Sequence, residues 1–199
     1  MKKMLKKGLT AFFAFSAFLF FSGMNETGAT SVYKVKKDDS LYKIGQHFGV
    51  SVQGIKSLNH LNSETIFPGQ NLALPASLPE DEKELLARLV AAEAKGEPYA
   101  GKVAVAVVVL NRLHHPDFPD TIREVIYSKD GGYFAFTPVA NGEINKPADE
   151  ESKKAVQEAL AFQGQGNGSL YFYNPEKSTS KWITTRDVTI KIGNHIFAK

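Results

Sequence analysis

The run VAVAVVVL at Val103–Leu110 constrains the fold of this chain more than any other segment. A stretch that is apolar throughout and rich in β-branched valine has no face to offer water, so the rest of the domain must wrap it. Periodicity alone does not separate a buried strand from a buried helix in such a run. Its continuation through Asn111-Arg112-Leu113 makes it long for a strand and predicts a buried helix. Just upstream, Leu86, Leu89 and Val90 precede Glu93 by seven, four and three residues, the spacings of one helical face. Glu93 therefore lies on an apolar stripe. Desolvation disfavours the charged form of a carboxyl in such a place and keeps it protonated nearer neutral pH. A protonated carboxyl at a cleft is a candidate general acid. Gly96-Glu97-Pro98 stops the helix soon afterwards, so Glu93 falls near a helix end. A Glu among alanines is also commonly a surface residue or the partner of a core arginine such as Arg112, and the pattern alone leaves these readings open.

The N-terminus differs from the rest of the chain. Lys2, Lys3, Lys6 and Lys7 precede an uncharged Phe-, Ala- and Leu-rich run from Gly8 to Phe21, with small and polar residues leading to a cut near Ala29. This is the pattern of a secretory signal over residues 1–29 and predicts an exported chain, its only membrane contact being that segment before cleavage. The run is short for a bilayer span. The formal net charge of +3 also belongs to this segment, which holds four Lys and one Glu. The remainder is close to neutral, which gives no reason to expect nucleic acid as a partner. The chain has no cysteine, so its fold holds without disulfides and cysteine peptidase chemistry is excluded.

Residues 31–75 predict a β-α-α-β unit. Val32-Tyr33-Lys34-Val35 alternates as a strand, Asp39-Ser40 caps a helix carrying Leu41, Ile44 and Phe48, and Gly49 ends it. Ser51 caps a second helix carrying Ile55 and Leu58. After the Pro68-Gly69 turn, Asn71–Leu74 returns as a strand. Ala76–Pro79 reads as a linker. Helix is then expected over Glu80–Lys95, after Pro119-Asp120 with Ile122, Val125 and Ile126, and after Asp149 with Ala155, Val156, Ala159 and Leu160 as its face. The Gly-rich loop from Gln163 to Ser169 precedes a strand-like tail. That tail comprises Leu170–Tyr173, Val188–Ile192, a Gly193-Asn194 turn and His195–Phe197.

Two resemblances follow from these residues. Tyr33, Val35, Asp39-Ser40-Leu41, Ile44, Ile55, Asn59, Leu61, Pro68-Gly69-Gln70, Leu72 and Leu74-Pro75 stand in the register of a lysin motif (LysM) domain, which residues 31–75 resemble across their whole length. Asp38 stands where that family commonly has Gly, and Asp tolerates left-handed backbone well. The resemblance implies binding of N-acetylglucosamine-containing glycan between the loops Lys37–Ser40 and Asn62–Phe67, with Asp38, Asp39, Ser40, Ile66 and Phe67 as contact residues. The motifs RLVAAEAKGEPYAGKVAVAVVVLNRL, HPDFPDTIREVIY, FTPVANGEIN, LYFYNP and SKWITTRDVTIKIGNHIFAK resemble, in order, the catalytic domain of the spore cortex-lytic, SleB-type cell wall hydrolases. This second resemblance implies a domain over 80–199, similar to lysozyme-like and lytic-transglycosylase folds, that cleaves the glycan strands of peptidoglycan with Glu93 as its catalytic acid. The expected class is thus α+β: a small βααβ LysM domain, then a mainly helical lysozyme-like catalytic domain with a small C-terminal β element.

Hydrolysing glycosidases usually need a second carboxylate. Glu97, Asp117, Asp120 and Glu143 all fall in turn-like contexts that fix none of them opposite Glu93. A lytic transglycosylase needs only one carboxyl, acid and then base, and the resemblance points the same way. Phe136, Thr137, Tyr171, Tyr173, Asn174 and Trp182 supply the aromatic faces, hydroxyls and amide of a sugar cleft. Strand alternation sets Tyr171 and Tyr173 on one face and Phe172 on the other. His114-His115-Pro116-Asp117 lacks a metal-ligand spacing, GQGNGS lacks the lysine of a phosphate cradle, and Ser169 is not in a nucleophile elbow. The expectation is a monomeric, extracytoplasmic enzyme of the cell wall or spore envelope. It cuts the MurNAc–GlcNAc bond of peptidoglycan strands without metal or cofactor, with anhydro-sugar products. The rivals are a hydrolytic muramidase or glucosaminidase, an inactive wall-binding or spore-coat protein, and an amidase or peptidase.

Overall fold

The computed structural model describes residues 31–165 and 167–199, so the signal-segment reading of residues 1–29 lies outside the described residues. The first unit is a two-stranded antiparallel sheet, β1 (Ser31–Lys34) and β2 (Asn71–Leu74), with helices α1 (Leu41–Phe48) and α2 (Val52–Leu58) between them. Ser40 and Ser51 cap the two helices through their side chains, and Gly49 (φ 64°) ends α1 in the left-handed region. Asn59 ties α2 to β2: its amide donates to Ile55 O (2.8 Å) and Ala73 O (2.7 Å), and its carbonyl accepts from Ala73 N (2.8 Å). Leu41, Ile44, Ile55, Leu72 and Leu74 fill a small core of its own.

The second unit is built on α3 (Glu80–Glu93), α4 (Tyr99–Leu113) and α7 (Glu150–Phe162). The Val103–Leu110 run is indeed helix: α4 packs chiefly on α7 and also on α3, with Val105, Val108, Val109 and Leu110 buried. Helix α5 (Ile122–Tyr127) closes one side. It is capped by Thr121 rather than opened by Pro119-Asp120, because the Thr121 hydroxyl accepts from Glu124 N (3.1 Å). Helix α3 stops at Glu93, two residues short of the expected Lys95, where Ala94 takes the cap and Gly96 (φ 81°) turns the chain away. A hairpin of β3 (Lys129–Asp130) and β4 (Tyr133–Phe134) and a one-turn α6 (Thr137–Asn141) follow α5.

The C-terminal strands β5 (Tyr171–Tyr173), β6 (Val188–Ile192) and β7 (His195–Ala198) form an antiparallel sheet ordered β5-β7-β6. The Gly193-Asn194 turn joins β6 to β7 as expected. Phe197 and Ala198 on β7 are buried, Phe197 within the helical core. The α+β class and the βααβ order of the first unit agree with the sequence reading.

Candidate active site

Glu93 ends α3 at the floor of an open cleft of about 560 Å³. The walls come from the Lys95–Glu97 turn, the start of α6 (Phe136 to Pro138), the end of β5 with Asn174, Lys177-Ser178, and the β6–β7 turn. The helix end that places Glu93 here also surrounds it with poor solvation. Burial raises its carboxyl from the ordinary 4.5 to about 7. The backbone of Thr137 and the Arg112 charge pull the other way but do not cancel that effect. Glu93 thus holds a proton across the mildly acidic to neutral range.

Arg112, on α4, is 8% exposed and supports the floor. Its Nε donates to Leu170 O at 2.7 Å, and its guanidinium lies 4.9, 5.1 and 5.6 Å from the rings of Phe118, Phe136 and Tyr171. Burial lowers its pKa to about 10, which leaves it cationic at neutral pH. The core-arginine partnership left open by the sequence takes the form of this long-range charge influence.

Phe136, Thr137, Tyr173 and Asn174 line the cleft with Glu93. Asn174 Oδ1 accepts from Glu176 N (2.9 Å) and its carbonyl from Ser178 N (2.9 Å), so the turn before Lys177 is fixed by this residue. Tyr171 and Trp182 do not line the cleft. Their rings pack edge-on at 5.1 Å, Tyr171 also meets Phe118, and Trp182 is stacked by Arg186 at 4.6 Å. Tyr171 turns to the Arg112 side, whereas Tyr173 reaches the cleft from the strand end together with Phe172.

The structure also brings in one residue that sequence reasoning does not single out, His195, and settles where the candidate carboxylates lie. His195 is 7% exposed, lines the cleft and packs 5.3 Å from Phe172. Burial holds its pKa below the usual histidine value and keeps it neutral. Glu97 lines the cleft but is occupied: Oε2 accepts from Asn194 N (2.9 Å) and Oε1 from Asn194 Nδ2 (3.1 Å). This clamp fixes the β6–β7 turn to the Gly96–Pro98 turn. Gly193 (φ 56°) is required there, since a Cβ would collide with Glu97 Oε2. The Gly-Asn turn is legible in sequence, but its carboxylate partner lies far away along the chain and carries no local signal. Glu143 lines the cleft and is paired with Lys146, which holds its carboxyl below the usual range. Asp117 and Asp120 lie outside the cleft lining, and the Asp117 carboxylate faces His115. Among the described residues no group of three His, Asp or Glu side chains is placed to hold a metal ion.

In the first unit, Asp39 Oδ2 accepts from Tyr33 OH (2.8 Å) and Lys36 N (2.7 Å), which keeps its carboxyl ionised well into acid. Asp38 takes left-handed backbone (φ 68°) and its carbonyl accepts from Lys43 Nζ (2.9 Å). Ser40 is spent on the α1 cap, Ile66 packs on the small core, and Phe67 is 67% exposed.

Comparison with known proteins matches two parts of the chain. Residues 33–75 match the LysM domain model, and residues 96–198 match the Cell Wall Hydrolase model. The chain is 44% identical over 124 residues to the spore cortex-lytic enzyme of Halalkalibacterium halodurans, covering 62% of this chain and 36% of that protein. It is 42% identical over 134 residues to the spore cortex-lytic enzyme of Bacillus cereus, covering 66% and 50%. The chain thus spans a third to a half of the length of these curated relatives. The solved catalytic domain of the germination-specific lytic transglycosylase SleB from Bacillus anthracis superposes with a TM-score of 0.57 at 42% identity, covering 63% of this chain and 99% of that one. The second unit therefore has a SleB-like fold. With just over half its length matched by the Cell Wall Hydrolase model, the chain belongs to the cell wall hydrolase family.

Proposed function

We propose that this protein cuts the glycan strands of peptidoglycan at the MurNAc–GlcNAc bond as a lytic transglycosylase, with Glu93 as acid and then base. The carrying observation is the Glu93 carboxyl, held protonated to about pH 7 on the floor of an open, polar-walled cleft. In the first step Glu93 gives its proton to the glycosidic oxygen as the C1–O bond of MurNAc breaks, releasing the GlcNAc-side chain as an alcohol. The resulting carboxylate faces the positive charge at C1. In the second step it takes the proton of the muramyl 6-hydroxyl while O6 bonds to C1, closing a 1,6-anhydro ring and restoring the acid. Thr137, Tyr173 and Asn174 hold the sugar, the Phe136 ring, 2% exposed, supports the cleft from the core side, and the neutral His195 adds wall without adding charge. Tyr171, backed edge-on by Trp182, acts from behind by packing on the Arg112 guanidinium. Glu97, clamped by both donors of Asn194, is spoken for structurally and is not a second catalytic carboxylate.

The names of the relatives and of the SleB domain support this substrate class. The LysM match supports a glycan-binding first unit over 31–75, beside a catalytic unit over 80–199 that includes α3. Asp38, Phe67 and Ile66 frame its groove, while Asp39 and Ser40 shape the loop. The protein works as a monomer outside the cytoplasm. Turbidity loss of purified cell wall tests the reading: the native chain clears the suspension and a folded Glu93→Gln chain does not. Clearing by the variant at the native rate contradicts the assignment.

A further inference from the structure

Ala76–Pro79 reads as a linker, and a binding module on a linker acts as a tether. The packing is not that of a tether. Helix α1 of the first unit lies directly on α7 of the second. They meet at two small residues: Gly45 is buried, and a Cβ built on it lies 3.3 Å from the fully buried Ala161 Cβ. Beside this close approach the Tyr42 and Phe162 rings sit 5.3 Å apart. Gly49, at the end of α1, lies against Lys83 of α3 and Gln157 of α7. The Tyr99 hydroxyl donates to Glu158 Oε2 at 2.9 Å, and the Tyr42 hydroxyl faces the same carboxylate. Both phenols hold their protons above the usual tyrosine range, through burial first and the Glu158 carboxylate next.

The position of these residues matters as much as their contacts. Tyr42 follows the Lys37–Ser40 loop by two residues. Tyr99 opens α4 two residues after Glu97 in the cleft wall. One carboxylate, Glu158, thus engages side chains rooted next to each of the two glycan sites. A flexible tether needs neither the shared carboxylate nor a helix pair packed at glycine-to-alanine distance.

We propose that the LysM unit is a fixed extension of the catalytic platform, docked on α7 so that one long glycan strand is held by the LysM loops and the Glu93 cleft at the same time. The proposal rests on the reading of both grooves as glycan sites. It makes the enzyme selective for strand length: a strand reaching both sites is positioned by both, whereas a short fragment is held by the cleft alone. A flexible tether raises wall binding but leaves the cut of a long strand independent of how the units are oriented.

The test uses the full chain and its Tyr42→Asp/Phe162→Asp double variant. The two new carboxylates face each other beside Glu158 and repel, while neither residue belongs to the catalytic cleft or to the LysM loops. Small-angle scattering reports docking, and circular dichroism reports fold. Cleavage is measured on peptide-free glycan strands of graded length and on a tetrasaccharide. The native chain should scatter as one body and cut long strands faster than the tetrasaccharide. The undocked variant should lose about tenfold on long strands and stay within about twofold on the tetrasaccharide. Undocking without loss on long strands overturns the proposal. So does a native chain whose units scatter independently, or a variant that remains docked, since these contacts would then not be what holds the units. Failure of the native chain to cut at any length is a separate result, against the Glu93 reading, and removes the basis of this one as well.

Discussion

Glu93→Gln should stabilise the protein at pH 8 and not at pH 4. The carboxyl titrates near 7 in the native state against 4.5 in the unfolded chain. Below pH 4.5 both states carry the proton and the group has no effect on the pH slope. Between 4.5 and 7 the native state keeps a proton that the unfolded state has released, so native stability falls as pH rises. Every tenfold difference in proton affinity between the two states is worth about 1.4 kcal/mol, which sets a ceiling of about 3 kcal/mol for the loss completed by pH 8. Partial exposure of Glu93 brings the expectation to about 2 kcal/mol. Glutamine keeps the shape and has no charge to desolvate, so the gap between variant and native chain should open over this window. Urea unfolding followed by the fluorescence of Trp182, the sole tryptophan, reports the second unit directly. With a slope of about 2 kcal/mol per molar urea, the midpoint difference should grow by about 1 M between pH 4 and pH 8. A midpoint difference that stays constant across that range means an ordinary, solvated carboxylate, and the acid role loses its physical basis.

Three further substitutions probe the surroundings. Glu97→Ala should loosen the β6–β7 turn and lower turnover by no more than about tenfold, against a loss of about 10²–10⁴-fold or more for Glu93→Gln in the same wall-clearing assay; equal losses would make Glu97 a catalytic carboxylate. Gly193→Ala should destabilise the protein by about 1–3 kcal/mol in thermal unfolding, since it adds a Cβ at positive φ and against Glu97; an unchanged melting temperature would refute the clamp. Asn59→Ala removes the three hydrogen bonds that tie this residue to α2 and β2 and should cost about 2–4 kcal/mol, abolishing retention on insoluble peptidoglycan before it affects cutting of short fragments; retention at the native level would show that the LysM unit does not depend on this tie.

Much of this architecture is local and can be read along the chain. The Ser40, Ser51 and Asp149 caps, the apolar α4 and the Gly193-Asn194 turn each declare themselves within a few residues. Glu93 stands out because a carboxylate interrupts an apolar stripe. The parts that escape are those made by distant partners. Nothing near Glu97 foretells Asn194, and nothing near Tyr171 foretells that Phe118 and Trp182 take its ring for packing. The β3–β4 hairpin and the one-turn α6 are elements of two to five residues, too short for periodicity to register. The docking of α1 on α7 is hidden for a different reason. Gly45 and Ala161 make contact because one has no side chain and the other only a methyl, and in sequence a glycine or alanine that admits a neighbouring helix looks the same as one that faces nothing.

In the transglycosylase mechanism a single carboxyl performs both half-reactions and no water enters the bond. Digestion of purified peptidoglycan in ¹⁸O-labelled water, followed by mass spectrometry of the muropeptides, tests it most directly. The ends should be closed as 1,6-anhydromuramic acid, free of label, and about 20 mass units lighter than products hydrolysed by the same labelled water. Labelled reducing ends would contradict it, and would require that Glu97 or Glu143 leave its present partner to activate water.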